Sequence, residues 1–292
     1  MQQLGIRIAG ITFSIVSADP SLQLHAGGPL RDFVVSRSDP DVIIEAAWDD
    51  LPSPNKGDRK IFDSGSVWQL YERNESYLFL FHSPLSGPVP YKTALMNNDY
   101  TRGKVLLNRS CLDPAGPVYP LQYPLDELIL INHLALGRGV EIHACGIIDA
   151  LGRGHLFAGR SGDGKTTMAK LWQDEPAVTV LSDDRIVLRK KDGRIWMYGT
   201  PWHGDARLSS PVGTPLTTIY ILRHGSTNGL VPQRVAEGVS SLFARSFVPF
   251  YDPEGLSFTL DFLQEVVENV PCHELRFAPD KRVIKFVQAM DE

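Results

Sequence analysis

The residues with the most specific chemical signature form a glycine-rich stretch at positions 159–167. Its sequence, Gly-Arg-Ser-Gly-Asp-Gly-Lys-Thr-Thr, fits the pattern G-x-x-x-x-G-K-[ST] of a phosphate-binding P-loop. Glycines let successive backbone N–H groups point at one anion, and a following helix adds the positive end of its dipole. In this pattern Lys165 reaches the β- and γ-phosphates, and the Thr166 hydroxyl contacts Mg²⁺. The motif therefore predicts a site for ATP and Mg²⁺.

Two neighbouring carboxylates, Asp183 and Asp184, follow the β-rich run at 177–182. Acidic side chains at the end of a strand that follows a P-loop lie where a magnesium–nucleotide site needs anions. One of them can hold the metal, directly or through water, and the other can take the proton of an acceptor hydroxyl. The residues expected to contact the phosphates are Gly159, Ser161, Gly162, Asp163, Gly164, Lys165, Thr166 and Thr167.

The elements that must position these residues occur in the required order. The apolar run 155–158 predicts a buried strand entering the loop, and 167–172 predicts a helix leaving it. Upstream, 125–136 predicts a buried helix that ends at Gly137, and 140–148 alternates as a strand. Downstream, the turn sequence 191–193 predicts a hairpin, followed by a glycine-bracketed loop at 199–207. His203 and Arg207 in that loop are candidates to contact phosphate or acceptor.

The first third of the chain has a different character. Alternating or apolar runs at 67–71 and 77–81 predict two strands of a hairpin, whereas dense proline, glycine and aspartate at 39–65 predict loops. The proline-rich stretch 113–124 is the expected boundary. We therefore expect a β-rich N-terminal region over 1–112, able to recruit a substrate or partner, and an ATP-binding catalytic domain over 120–292.

Composition narrows the function classes. The 292 residues are 43% hydrophobic and 22% charged, with a formal net charge of -5 and no dense run of Lys or Arg. Strong binding to nucleic acid or to an anionic membrane is therefore not expected. The three cysteines are widely separated, and neither a secretory signal nor a long apolar span is evident. We expect a cytoplasmic protein.

Taken together, His143, the P-loop and the run Leu181-Ser182-Asp183-Asp184-Arg185-Ile186-Val187 resemble the catalytic core of HPr kinase/phosphorylase. The whole layout is also similar to HPr-kinase-like proteins of peptide-biosynthesis clusters, including lasso-peptide precursor kinases. The resemblance implies an α/β (α+β) fold with a phosphoenolpyruvate-carboxykinase-like P-loop core rather than a standard P-loop NTPase fold. Thr166-Thr167 departs from the Ser-Glu that HPr kinases usually carry after the lysine, so HPr itself is not implied as the acceptor.

The same resemblance implies roles for single residues. Asp183 would accept the proton of the hydroxyl, Asp184 would lie beside the metal with Thr166, and Lys165 would act on the phosphates. His143 would neighbour the two carboxylates and hold their protonation state. The family's oligomeric assembly also implies a homo-oligomer here, although the sequence identifies no interface.

Three functions remain open from the sequence. The leading hypothesis is an ATP- and Mg²⁺-dependent kinase that phosphorylates a serine or threonine hydroxyl of a peptide or protein. The second is a kinase for a small hydroxyl compound, such as free serine or a sugar. The third is a non-catalytic ATP-sensing module. Turnover separates the third from the others, and acceptor screening separates the first two.

Overall fold

A computed structural model describes residues 1–36, 39–84, 87–113 and 115–290. The chain forms two compact units. The first comprises Met1–Arg7 and Ile11–His133, and the second comprises Ile8–Gly10 and the described chain from Leu134 onward. Pro114, within the predicted boundary, lies outside the described residues.

The first unit is built on a mixed nine-stranded sheet with the order β3-β1-β2-β4-β9-β8-β7-β6-β5. Its strands are β1 (Gln2–Ile8), β2 (Ile11–Ser17), β3 (Val34–Val35), β4 (Val42–Trp48), β5 (Arg59–Asp63), β6 (Trp68–Arg73), β7 (Ser76–Phe81), β8 (Lys92–Asn97) and β9 (Arg102–Leu107). A short 3-10 helix spans Gly28–Phe33. The parallel pairs β2–β4 and β4–β9 lie in the middle of the sheet. The pairs β1–β3, β5–β6, β6–β7, β7–β8 and β8–β9 are antiparallel.

The predicted hairpin of this unit is confirmed, because β6 pairs antiparallel with β7 and Arg73 lies opposite Ser76. The prediction of loops throughout 39–65 is wrong. This stretch contains β4, which alternates buried and less buried residues, and the mostly exposed edge strand β5. The prolines and glycines that suggested loops lie mainly between these strands, which explains the error.

The second unit contains the elements that follow α1. The helix α1 (Leu125–Ala135) spans the division between the units, close to the predicted bounds. The strands that follow are β10 (Val140–Ile148), β11 (Gly154–Ala158), β12 (Thr179–Ser182), β13 (Arg185–Lys191), β14 (Arg194–Gly199), β15 (Gly213–His224), β16 (Gly229–Pro232), β17 (Ser246–Phe247) and β18 (Cys272–Phe277). The helices are α2 (Lys165–Gln173), α3 (Val235–Phe243), α4 (Pro253–Asn269) and α5 (Arg282–Met290).

The strand β10 organises this unit, since it pairs with four others along its length. Its first half pairs with β13 and β17, and its second half pairs with β11 and β12. The sheet runs β11-β10-β13-β14-β15-β18-β16, and β15 also pairs parallel with β11. The partners of β10 therefore diverge at its middle, which opens a crevice at that point.

Period-two alternation along the strands separates two apolar clusters. Ile142 and Ala144 of β10 belong to one cluster, which also contains Phe262 and Leu263 of α4. Cys145 and Ile147 belong to the other, which contains side chains of α2 and α5. Helices thus cover both faces of the sheet.

The coarse prediction of an α+β fold is confirmed, since the molecule combines two large mixed sheets with few helices. None of the helices in the described part of the chain is long and apolar enough to cross a membrane.

Candidate functional site

The P-loop connects a fully buried strand to the first turn of α2. The strand β11 ends at Ala158, and α2 begins at Lys165 with Gly164 as its N-cap. Gly162 and Gly164 have φ values of 89° and 101°, which L-residues with a side chain rarely adopt. A Cβ on Gly164 would also lie 2.6 Å from Cζ of Phe277. The local sequence therefore fits a loop whose backbone curls around the start of a helix, where N–H groups and the helix dipole favour an anion.

Lys165 is held against this loop. The residue is 6% exposed, and Nζ donates to the carbonyl oxygen of Arg160 at 3.1 Å. Burial lowers the pKa of its ammonium group below the usual 10.5, and the charges of Asp184 and Asp163 oppose that shift. Because burial removes part of the hydration of this ammonium group, a phosphate ligand would stabilise its charge.

His143 lies at the point where the partners of β10 diverge. Its N–H donates to the carbonyl of Arg245 at 2.7 Å, and its carbonyl accepts the Gly159 N–H at 3.4 Å. The next residue of β10, Ala144, donates its N–H to the carbonyl of Asp184 at 3.1 Å. Backbone pairing thus brings the histidine, the start of the P-loop and the second aspartate together.

The side chains of His143 and Asp184 form a pair. Nε2 of His143 lies 2.8 Å from Oδ1 of Asp184, and Nη1 of Arg185 donates to Oδ2. Burial would raise the pKa of the Asp184 carboxyl, but the His143 hydrogen bond and the charges of Arg185, His143 and Lys165 outweigh it. The pKa therefore lies below 3.8, and Asp184 is an anion at neutral pH. About a quarter of each side chain of the pair is exposed, so both can meet a ligand.

Asp183 has a different environment. It is 0% exposed, and its carboxylate accepts backbone N–H groups of Gly204 at 2.9 Å, Ala206 at 2.9 Å and Leu208 at 3.4 Å. Gly204 approaches so closely that a Cβ there would lie 2.8 Å from Oδ2 of Asp183. Both oxygens of Asp183 are thus buried and accept backbone N–H groups. They order the loop that follows β14.

One cleft of about 440 Å³ collects most of the predicted residues. Its lining is His143, Ser161, Gly162, Gly164, Lys165, Thr166, Thr167, Asp184, Gly204 and Asp205. Of the other predicted phosphate contacts, Asp163 accepts the Arg160 N–H at 2.6 Å, and a Cβ on Gly159 would lie 2.9 Å from Asp163 Cβ. These two residues therefore stabilise the conformation of the P-loop and do not line the cleft.

The loop 199–207 contributes to the cleft through residues that the sequence did not single out. Gly204 and Asp205 line it, whereas His203 and Arg207 do not. His203 places Nδ1 2.9 Å from the carbonyl of Gly204, and Arg207 has a φ of 57° and is exposed. The polar, glycine-bracketed composition of the loop indicates a site. Which of its residues face the cleft depends on the hydrogen bonds that its backbone N–H groups donate to Asp183.

A larger cleft of about 800 Å³ lies in the first unit. It is lined by residues such as His82, Tyr91, Asn108 and Cys111. Size alone does not define a site, and this lining combines neither a phosphate loop nor a pair of carboxylates. The P-loop cleft is the better candidate because its charges and backbone donors converge on one place.

The residues could hold Mg²⁺ only with help from a ligand. The structure places no group of three or more His, Cys, Asp or Glu in ligating proximity within its described ranges. Thr166, Asp184 and Asp205 line the cleft and carry oxygen atoms of the kind that Mg²⁺ prefers. Because Mg²⁺ usually binds through one or two carboxylates plus phosphates and water, this sparse set fits a metal that arrives with a nucleotide.

No family model matches the chain, and no curated protein matches it.

Proposed function

We propose that this protein is an ATP- and Mg²⁺-dependent kinase that phosphorylates a serine or threonine hydroxyl of a peptide or protein. The observation that carries the proposal is one cleft that combines a P-loop, its buried lysine and the His143–Asp184 pair. Phosphoryl transfer needs mainly positioning and charge neutralisation, and this combination provides both.

The P-loop residues would hold the phosphates of ATP. Backbone N–H groups at the start of α2 and the ammonium group of Lys165 offset the negative charge, and Ser161, Thr166 and Thr167 line the same cleft. The Thr166 hydroxyl and a carboxylate of the cleft would hold Mg²⁺, which supplies further charge neutralisation when it is bound. Phe277 packs so closely against Gly164 that a Cβ does not fit, so this position of the loop requires glycine, as the P-loop pattern does.

The His143–Asp184 pair would act on the acceptor. Asp184 is ionised and partly exposed, so it can accept the hydrogen bond of an incoming hydroxyl and then its proton. His143 fixes the orientation of that carboxylate through the 2.8 Å contact. Asp183, which we expected in the base role, would instead position the loop 204–208.

We further propose the HPr-kinase-like, phosphoenolpyruvate-carboxykinase-like relationship as the framework for this unit. The order of His143, P-loop and paired aspartates supports it, as does a sheet with helices on both faces. A cytoplasmic location and assembly into a homo-oligomer belong to the same proposal. In it the β-rich first unit recruits the acceptor.

Acceptor screening tests the proposal. The protein is incubated with Mg²⁺ and labelled ATP in the presence of serine- and threonine-containing peptides or, separately, free serine and sugars. We expect phosphopeptide, detected by mass spectrometry, and no product with Lys165→Ala. Transfer only to small hydroxyl compounds would redirect the proposal to a small-molecule kinase. ATP binding without transfer or hydrolysis would contradict it and favour an ATP sensor.

A further inference from the structure

A buried arginine, Arg245, lies against the P-loop and has no role in the proposed phosphoryl transfer. It directly precedes β17, which pairs with β10, and its carbonyl accepts the His143 N–H at 2.7 Å. Its side chain is 2% exposed, and Nη2 lies 3.6 Å from Oδ2 of Asp163 in the P-loop. The pairing of β17 with β10 therefore holds a guanidinium group beside the phosphate loop.

One edge of this guanidinium group lacks hydrogen bonds. Nη1 donates to the carbonyl of Ser241 at 2.7 Å, whereas Nε and Nη2 have no hydrogen-bond partner among the described residues. The 3.6 Å separation from Asp163 is an ion-pair contact and is too long for a hydrogen bond. The Nε and Nη2 edge is the fork that binds a carboxylate or phosphate with two parallel hydrogen bonds. Buried donors are rarely left unsatisfied, so this edge indicates a ligand.

The surroundings of Arg245 carry excess positive charge. Burial, the charge of Arg223 and the charge of Arg160 all lower the pKa of Arg245, in part against the opposing charge of Asp163. Arg223 shares Glu274 with Arg276, at 3.3 and 3.1 Å. In this group of contacts, four guanidinium groups are balanced by two carboxylates. The imbalance favours an anion and disfavours a neutral or cationic ligand.

We propose that Arg245, together with Arg223 and Arg160, binds an oxyanion of the phosphate acceptor, a carboxylate or phosphate carried close to the reacting hydroxyl. This inference rests on the proposed kinase function. Since Arg245 bonds through its backbone to His143, which lines the cleft, the oxyanion lies beside the pair that receives the hydroxyl. The acceptor class is therefore acidic: a serine or threonine flanked by acidic or phosphorylated residues, or a small hydroxy acid.

Titration calorimetry with inorganic phosphate tests the oxyanion site. The full chain is first saturated with Mg²⁺ and a non-hydrolysable ATP analogue, which fills the γ-phosphate position. We expect phosphate to bind the loaded protein, and Arg223→Gln and Arg245→Gln to weaken this binding by about tenfold or more, the effect of losing a charged hydrogen bond. Arg223 is 46% exposed, so its variant should fold even if Arg245→Gln does not. Arg234→Gln, at an 87% exposed position of the same unit, is the matched control and should leave binding unchanged.

The inference is overturned if phosphate does not bind, or if wild type and Arg223→Gln bind phosphate equally. A tenfold loss of affinity for the analogue itself in Arg223→Gln also overturns it, since the oxyanion is then a phosphate of the nucleotide. If the analogue does not bind wild type, the kinase proposal fails, and phosphate is titrated into the free protein. If Arg223→Gln then loses phosphate binding and Lys165→Ala keeps it, the oxyanion site is still supported. Any other combination of results for these two variants contradicts the oxyanion site.

The source of the oxyanion is distinguished by kinetics. Peptide acceptors that differ only in acidic or neutral residues beside the serine are compared with a small hydroxy acid. We expect the acidic member of the preferred class to have a KM lower by about tenfold than its neutral counterpart, and this ratio to approach one in Arg223→Gln. A ratio that is unchanged in the variant contradicts the inference.

Discussion

Adjacent residues can have opposite roles, and Asp183 and Asp184 show why. Both lie in the bend between β12 and β13, where the chain changes direction and consecutive side chains can make different contacts. Asp183 points into the loop 204–208, while Asp184 points into the cleft with His143. The sequence predicted a functional pair of carboxylates, but it could not say which one faces the ligand. That choice depends on backbone donors that come from about twenty residues further along the chain.

The two aspartates should respond differently to the same substitution. We expect Asp184→Asn to slow phosphate transfer by about 10²- to 10⁴-fold, the usual contribution of a general base, under conditions in which the variant is fully folded. Asp183→Asn should lower the free energy of unfolding by about 1–3 kcal/mol, because a buried acceptor of three N–H groups loses its charge. Transfer assays and chemical denaturation measure the two effects. If Asp183→Asn abolished transfer at unchanged stability, the original assignment of Asp183 as the base would be restored.

Lys165 gives the site a pH dependence. Burial lowers its pKa below 10.5 in the free protein, so the ammonium group loses its proton at a lower pH than an ordinary lysine does. We expect the affinity for ATP to fall as the pH rises through that lowered value, because the neutral amine no longer attracts phosphate. Calorimetry at a series of pH values below 10.5 measures this fall. Lys165→Arg keeps its charge throughout this range and should remove the decline; the same decline in that variant would assign it to another group.

At the scale of elements, the predictions that succeeded rest on local rules. Periodicity and glycine placement depend on residues that are close in sequence. They were therefore sufficient to identify the P-loop, the helix 125–135 and the strand 140–148. The strand β4 was missed because its pairing partners, β2 and β9, are distant in sequence. The convergence on His143 was predicted only by resemblance, since it depends on where the partners of β10 diverge.

The start of α2 is sensitive to its glycine. In Gly164→Ala the new Cβ combines a φ of 101° with a 2.6 Å approach to Phe277, so we expect a loss of about 1–3 kcal/mol in stability and much weaker ATP binding. Gly162→Ala has a positive φ but open space around its Cβ, so it isolates the conformational cost. Gly229→Ala has neither problem and is the control. Thermal unfolding and calorimetry should rank the variants in that order, and equal behaviour of Gly164→Ala and Gly229→Ala would contradict the loop geometry.

At the scale of the whole molecule, the first unit contains a buried lysine that should couple its stability to pH. In the first unit, Lys92 is 1% exposed, and its Nζ donates to the carbonyl of Gln122 at 2.7 Å and lies 4.7 Å from the centre of the Phe81 ring. Burial lowers its pKa to about 7, with the Asp126 charge opposing the shift. A lysine this deep within a sheet is not evident from the sequence, because β8 carries apolar and polar residues on the same face.

This lysine should make the first unit more stable at alkaline pH. Between about pH 7 and pH 10.5 the unfolded chain binds a proton that the folded chain does not, so stability rises with pH, by up to about 1.4 kcal/mol per pH unit. Below about pH 7 both states are protonated and the dependence disappears. Hydrogen exchange of β8, corrected for the intrinsic rate, measures this effect. Lys92→Met should abolish the dependence, and Lys104→Met, at an exposed position on the neighbouring strand, should retain it.

The binding of Mg²⁺–ATP to the full chain tests the central claim most directly. Isothermal titration calorimetry should detect one site in the wild-type protein, lost or weakened by about tenfold or more in Lys165→Ala and preserved in Lys170→Ala, which removes an exposed lysine from the same helix. Absence of ATP binding by well-folded protein, or equal affinity in Lys165→Ala, would contradict the assignment of the P-loop as a nucleotide site and the kinase proposal with it.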